Sequence, residues 1–227
     1  MPGRLTRIVK SMKAAIYRRY GPPDVVQLED VAKPAPKDNE ILVRVHATTV
    51  CATDSRVRKA EYFIFRLFIG LSKPRKPVIA GVEFSGRVVQ VGRDVSRFKV
   101  GDLVFGWPGS GKGAHAEYIC MPESGAVELK PANMSLVLIA GPFLPNPGRL
   151  WAAITGAAKI VSPFAAATVR NLGPHLTFLK ELIESGKLRT VIGRRYAFAE
   201  IVEAHAYADT GHKVGSAFVL VDDVTDP

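Results

Sequence analysis

Hydrophobic and polar residues alternate along the stretch from Val78 to Gly106, and this pattern predicts two β-strands joined by a polar turn. The first strand contains the letters GRVVQVG and the second contains KVGDLVFG. An alternation with a period of two residues gives a sheet with one buried face. Glycines occur where a small barrel has to bend or bring two backbones together, because glycine tolerates positive φ and has no side chain. They are Gly81, Gly86, Gly92 and Gly101.

The same pattern along the rest of the chain predicts further strands and helices. Residues 51–58 form a turn or short helix, in which Asp54 can cap backbone N–H groups. Residues 176–188 form an amphipathic helix that stops at Gly186, and a last helix lies between the final two strands. The other predicted strands span residues 12–17, 25–31, 41–50, 188–192 and 214–221.

One short segment has a different pattern. Residues 136–140 read LVLIA and are apolar on both faces. That is typical of a strand buried inside a parallel sheet rather than at the half-exposed surface of a barrel. The segment therefore predicts a strand of a second, parallel sheet, and the sequence contains no further strands for that sheet.

Several stretches together resemble one known family. They are MKAAIY at 12–17, EILVRVHATT at 40–49, GVEFSGRVVQVG at 81–92, GDLVFG at 101–106 and GAHAEYI at 113–119. In this order they are similar to the substrate domain of the medium-chain dehydrogenase/reductase superfamily, in its zinc-independent quinone oxidoreductase branch. The resemblance implies a mainly β fold with helices, class α+β: a GroES-like, partly open β-barrel with C-terminal helices.

The resemblance also divides the chain. It implies a basic N-terminal extension at 1–11, a GroES-like domain at 12–134, a remnant of the nucleotide-binding domain at 135–161, and the C-terminal part of the barrel domain at 162–227. The nucleotide-binding Rossmann domain would then be largely missing between Ser135 and Leu136. The missing block would be on the order of 100 to 150 residues, a typical domain size.

Composition limits the remaining classes of protein. The 227 residues are 47% hydrophobic, yet no apolar run reaches the roughly 18 residues of a membrane span. The net charge of +10 is dispersed and lacks a recognition motif, so we expect no specific nucleic-acid partner. Two cysteines, Cys51 and Cys120, cannot build a disulfide framework, which indicates a reducing cytoplasm.

The family uses a nicotinamide dinucleotide, so a member that binds it needs a phosphate-binding turn. Such a turn needs G-x-G-x-x-G between a strand and a helix. The candidate cluster is GWPGSGKG at 106–113, but Gly113 stands where a P-loop needs a hydroxyl residue and a strand follows. A turn between two barrel strands is the favoured interpretation over a phosphate site.

The sequence also bears on whether a catalytic zinc site is present. In the metal-dependent relatives a cysteine in a context like VCATD and a histidine in a GHE triplet bind catalytic zinc. Cys51 matches the first position, but Val82 stands at the second and cannot coordinate a metal. Catalytic zinc needs three protein ligands and a water, so we expect none. The five histidines are scattered without ligand spacing, and Cys51 is interpreted as a small buried side chain.

The resemblance places the substrate side of the reaction on a few residues. Cys51, Thr53, Asp54 and Arg56 would lie on the pocket floor, with Tyr62 at its edge as a possible proton donor. Two alternatives stay open, since Tyr62 can be packing and Asp54 can be a helix cap rather than an acid. The aromatic segment 60–77 is either the roof of an apolar pocket or an ordinary packed helix.

On the cofactor side, fewer residues match family positions that approach the dinucleotide. They are Gly141, Pro142, Phe143, His212 and Lys213. The resemblance thus implies a reductase that uses NADP(H) to transfer hydride to a conjugated carbonyl, with a small apolar carbonyl or quinone as substrate. Loss of the cofactor domain would impair that activity.

A hypothesis of another class remains. The chain could be a non-catalytic remnant that serves as an apolar-ligand or subunit-interaction module, or a truncated gene product. The segment 136–140 favours it, because an apolar strand without neighbours in its sheet tends to pair with another chain and would give a homo-oligomer.

Overall fold

The computed structural model describes residues 11–109, 112–131, 173–188, 192–211 and 215–222, and in this part the chain is mainly β-sheet. The strands are β1 Ser11–Tyr17, β2 Gln27–Ala32, β3 Glu40–Val50, β4 Val78–Ile79, β5 Phe84–Val91, β6 Leu103–Gly106, β7 Tyr118–Pro122, β8 Val127–Leu129, β9 Ile192–Ala197 and β10 Ser216–Leu220. The helices are α1 Ala52–Lys59, α2 Phe63–Ile69, α3 Gly173–Glu184 and α4 Ile201–Asp209, with short 3-10 turns at Pro23–Val25 and Phe198–Glu200. No helix in these ranges is long and apolar enough to span a bilayer.

The strands form two sheets. The smaller has the order β2-β1-β4, and the larger has the order β8-β6-β5-β3-β10-β9 with β7 added beside β3. The long strand β3 is central because β5 pairs along one edge, while β7 and β10 share the other edge. Among the described strands the outer two, β8 and β9, are not paired with each other, so the sheet is open as predicted.

Apolar side chains form two main clusters. The first fills the space inside the larger sheet, and its members include Ile41, Val43, Val45, Phe84 and Val88. Ile41, Val43 and Val45 are alternate residues along β3, so the period of two that the sequence displays is the one that buries this face. The second cluster packs α4 against β1 and β10.

Two of the predicted glycines show why no other residue would fit. Gly81 has φ +98°, and a Cβ there would lie 2.5 Å from the backbone nitrogen of His115. At Gly86 a Cβ would lie 2.1 Å from the carbonyl oxygen of Arg44 on the paired strand β3. Such distances are far below van der Waals contact, so the prediction of close backbone approach is confirmed at both positions.

The C-terminal part agrees with the sequence in its helices and differs in one strand. Helix α3 ends as predicted, with Gly186 at φ +70°. Leu188 is not part of the strand predicted at 188–192, because its N–H donates to the main-chain oxygen of Leu182; Ile192 is in a strand, which spans Ile192–Ala197 in the described residues. Most of β9 is exposed, so its residues carry no alternation signal. The predicted strand 136–140 lies outside the described residues.

Candidate functional site

The first turn of α1 contains the residues that the sequence assigned to a pocket floor. Cys51 precedes the helix, and its backbone N–H donates to Oδ2 of Asp54 at 2.8 Å. Asp54 is 4% exposed, so its carboxylate is committed to this buried hydrogen bond. The interpretation of Asp54 as a helix cap is thereby confirmed, and its role as an acid stays a prediction.

The thiol of Cys51 is buried at the N-terminus of the same helix. Burial raises the pKa of Cys51 well above its ordinary value, and the nearby carboxylates of Asp54 and Glu83 raise it further. A thiol with a raised pKa stays protonated at neutral pH and is a poor nucleophile. Cys51 therefore behaves as the small buried side chain expected from the sequence.

Glu83 is a member of this site that sequence reasoning missed. The hydroxyl of Thr49 donates to its Oε2 at 2.7 Å, and the hydroxyl of Thr48 donates to its main-chain oxygen at 2.6 Å. These bonds attach the start of β5 to the end of β3, directly before Cys51. The sequence signal for Glu83 is a single acidic residue in an apolar stretch, directly after Val82.

The other predicted substrate-side residues lie on α1 and at the start of α2. Thr53 and Arg56 are half-buried on α1, and the Arg56 guanidinium lies 3.5 Å from the Glu61 carboxylate. Tyr62 is half-buried directly before α2. These residues are near one another along the chain, because the two helices are consecutive. Their roles toward a substrate stay predictions.

Helix α2 exposes two large apolar residues. The side chain of Phe63 is 67% exposed and that of Leu67 is 46% exposed. A one-sided helix would bury its large apolar residues. This exposure favours the interpretation that the segment borders an apolar pocket.

The glycine-rich segment is a barrel connection, as predicted. It joins β6 to β7, and Nζ of Lys112 donates to Oε1 of Glu40 at 2.8 Å and to the carbonyl of Cys120 at 2.9 Å. A P-loop lysine has to reach a phosphate instead. The prediction that this cluster is not a phosphate site agrees with the geometry of its lysine.

The histidines are not scattered as the sequence suggested. The rings of His115 and His205 lie 5.3 Å apart, and both residues are fully buried. The fold brings them together by packing α4 against the segment before β7. Within the described ranges no group of three or more His, Cys, Asp or Glu is placed to hold a metal ion.

Comparison with known proteins adds to this geometry. The alcohol dehydrogenase GroES-like domain family matches residues 37–131. A quinone oxidoreductase of Sus scrofa is 38% identical over 110 residues, which are 48% of this chain and 31% of that protein. The protein of Dictyostelium discoideum described as "NAD(P)H oxidoreductase RTN4IP1, mitochondrial" is 32% identical over 127 residues, 55% of this chain and 35% of that protein.

A solved structure shows the same fold. The quinone oxidoreductase from Coxiella burnetii matches with a TM-score of 0.71 at 19% identity, over 94% of this chain and 100% of that one. The chain is similar to members of the medium-chain dehydrogenase/reductase superfamily. It spans about a third of the length of the curated superfamily members that it matches.

Members of this superfamily with a dinucleotide need a phosphate-binding turn, and one described element can be tested for it. Strands β9 and β10 are parallel and α4 connects them, which is a βαβ unit. The turn into α4 is Phe198–Glu200 and has no glycine. Glu200 and Glu203 place negative charge at the start of this helix, where a phosphate would be repelled.

This βαβ unit therefore does not fit a dinucleotide pyrophosphate. The five residues predicted for the cofactor side, Gly141, Pro142, Phe143, His212 and Lys213, lie outside the described residues. Their roles stay predictions, as does the absence of zinc.

Proposed function

We propose that this chain carries the substrate side of a zinc-independent, NAD(P)H-dependent quinone or enone reductase. The observation that carries the proposal is the match of residues 37–131 to the alcohol dehydrogenase GroES-like domain. That region contains the floor residue Cys51 and has Val82 at the second zinc position of the metal-dependent relatives. The names of the quinone oxidoreductase relatives support the substrate class.

The substrate in this proposal is a small apolar carbonyl or quinone in the cytoplasm. It lies over the first turn of α1, with Thr53 and Arg56 as polar neighbours and the exposed apolar face of α2 beside it. Tyr62, at the start of α2, is the proposed proton donor to the reduced carbonyl. Cys51 and Asp54 shape the floor, and the raised pKa of the Cys51 thiol keeps it out of nucleophilic chemistry.

We further propose that NADP(H) binds poorly to this chain. The Dictyostelium relative is named an NAD(P)H oxidoreductase, which supports a nicotinamide cofactor for the parent reaction. In this chain the turn into the helix of the described βαβ unit has no glycine, and the helix begins with acidic residues. Hydride transfer by the chain alone is then impaired.

Titration of NADPH against the purified chain tests the cofactor part. We expect no saturable rise in nicotinamide fluorescence up to millimolar NADPH, and no quinone-dependent loss of NADPH absorbance at 340 nm. Saturable binding in the micromolar range would show that the cofactor site is intact. A full-length quinone oxidoreductase is the positive control for both assays.

The second candidate is a non-catalytic module that binds an apolar ligand or another subunit. The exposed Phe63 and Leu67 on α2 favour it, since clustered apolar exposure marks binding surfaces. Quenching of tryptophan fluorescence by p-benzoquinone without NADPH tests the apolar-ligand site that both candidates need, and the NADPH titration separates the two. Saturable quenching that Phe63→Ser abolishes supports ligand binding, and light scattering after gel filtration tests self-association through residues 136–140.

A further inference from the structure

A seam of buried polar groups lies between α1 and α4. Asp54 and Arg58 are four residues apart and share one face of α1, while His205 and Asp209 share one face of α4 in the same way. The side chain of Arg58 is 0% exposed, and His205 and His115 are fully buried. Charged and titratable groups are seldom this deeply buried in a soluble domain.

Asp209 closes one end of the seam. Its carboxylate accepts hydrogen bonds from Nη2 of Arg58 at 2.7 Å and from the hydroxyl of Ser55. Nζ of Lys59 lies 2.9 Å from the same carboxylate. Three residues of α1 therefore hold the last turn of α4.

The other end of the seam is the histidine pair. Nε2 of His115 donates to the carbonyl of Thr49 at 3.0 Å, which leaves Nδ1 without a proton. Among the described residues, several buried polar atoms have no hydrogen-bond partner: Tyr17 Oη, Asp54 Oδ1, Arg58 Nε and Nη1, His115 Nδ1, and both ring nitrogens of His205. Buried polar atoms without partners are costly, so this end is the weaker one.

We propose that this seam is an acid-sensitive latch, in which protonation of the buried His115–His205 pair loosens α4 from α1 and from the segment before β7. Helix α1 begins directly after Cys51, so loosening also displaces the pocket floor. The latch itself stands on the fold alone, and only its effect on a substrate rests on the proposed function.

The charges around the pair explain the direction of the response. A proton on His205 would face the Arg58 guanidinium and the neighbouring His115, and burial and these two groups lower the pKa of His205 well below its ordinary value. Burial also lowers the pKa of His115, although the Asp54 carboxylate opposes this shift. Tyr17 on β1 stays neutral because burial raises its pKa. Asp209 is already paired with Arg58 and Lys59.

A histidine with a lowered pKa in the closed state binds its proton more readily once the seam is open. Protons therefore favour opening below the ordinary histidine pKa of about 6.5. Each histidine can increase the opening constant by at most about tenfold for each pH unit below that value. The closed state is favoured above pH 6.5.

Native-state hydrogen exchange of the whole chain tests the latch. After correction for intrinsic rates, we expect the opening constant of α1 and α4 amides to rise about tenfold or more between pH 6.5 and 5.5, while β5 amides remain protected. His205→Leu should remove the contribution of His205 and leave at most the rise of about fivefold that His115 alone can give. His46→Gln is the matched control, because His46 lies on β3 outside the seam, and it should keep the full rise.

The imidazole resonances of the unaltered chain provide a second measurement if His205→Leu does not fold. We expect His205 to stay neutral for as long as α4 is protected, and to titrate only together with the loss of that protection. Titration of His205 near pH 6.5 with α4 still protected would overturn the latch. Opening of α4 that is the same at pH 6.5 and 5.5 would also overturn it.

Discussion

Two buried regions of this molecule are built from opposite materials. The space inside the larger sheet is filled by aliphatic and aromatic side chains such as Val43, Val45 and Phe84. The seam between α1 and α4 is filled by an arginine, two aspartates and two histidines. Apolar burial is insensitive to pH, whereas buried titratable groups make stability depend on it. The stability contributed by the sheet core should therefore be independent of pH, and the stability contributed by the seam should change with pH.

The largest expected effect lies on the apolar side of this contrast. Phe84 is 1% exposed, and Phe84→Ala should lower the free energy of unfolding by about 3 to 5 kcal/mol in urea titrations. Phe178→Ala is the control, because that phenylalanine is 58% exposed and its loss should cost no more than about 0.5 kcal/mol. Equal losses for the two variants would contradict the assignment of this core.

The next prediction concerns removal of the Arg58 guanidinium from the seam. Arg58→Met leaves the Asp209 carboxylate with Lys59 and Ser55 only. We expect a loss of about 2 kcal/mol in urea unfolding, somewhat less than for a buried pair that loses all compensation. Arg18→Met at the exposed Arg18–Glu29 pair should cost less than about 1 kcal/mol. A seam that contributes nothing would give both variants the same small loss.

Most of the pH dependence of stability should come from the two histidines of the seam, with a further contribution from His46 on β3. The pKa values of His46, His115 and His205 are lowered in the folded chain. Below pH 6.5 the unfolded chain therefore binds protons that the folded chain does not, so stability is full above pH 6.5 and falls as the pH decreases. Each histidine contributes a slope of at most about 1.4 kcal/mol per pH unit. Urea titrations from pH 7.5 to 5.0 measure this slope, and a flat profile would refute it.

The smallest effect separates charge from hydrogen bonding at the pocket floor. Asp54→Ala removes the acceptor for the Cys51 N–H and should cost about 1 kcal/mol. Asp54→Asn keeps an acceptor but not the charge, so it should cost less while still lowering the pKa of the Cys51 thiol toward its ordinary value. The rate of thiol modification against pH measures that shift. Identical thiol profiles in the Asn variant and the parent chain would argue against a carboxylate effect.

Much of the larger sheet could be predicted from local pattern alone. On strand β3, the alternate residues Ile41, Val43 and Val45 contribute to the same apolar cluster. Asp54 as a cap and Gly186 as a helix stop also depend only on near neighbours in sequence. Strand β9 was misplaced because its exposed side chains obey no alternation.

What the amino-acid sequence determined by itself is therefore the set of elements whose signal is short-range: alternating strands, capped helices and glycines at close approaches. Only the tertiary structure decided that His115 lies against His205, that Asp209 pairs with the buried Arg58, and that Glu83 bonds to the strand before Cys51. The physical reason is that periodicity reports which face of one element is buried. It carries no information on which distant element will cover that face.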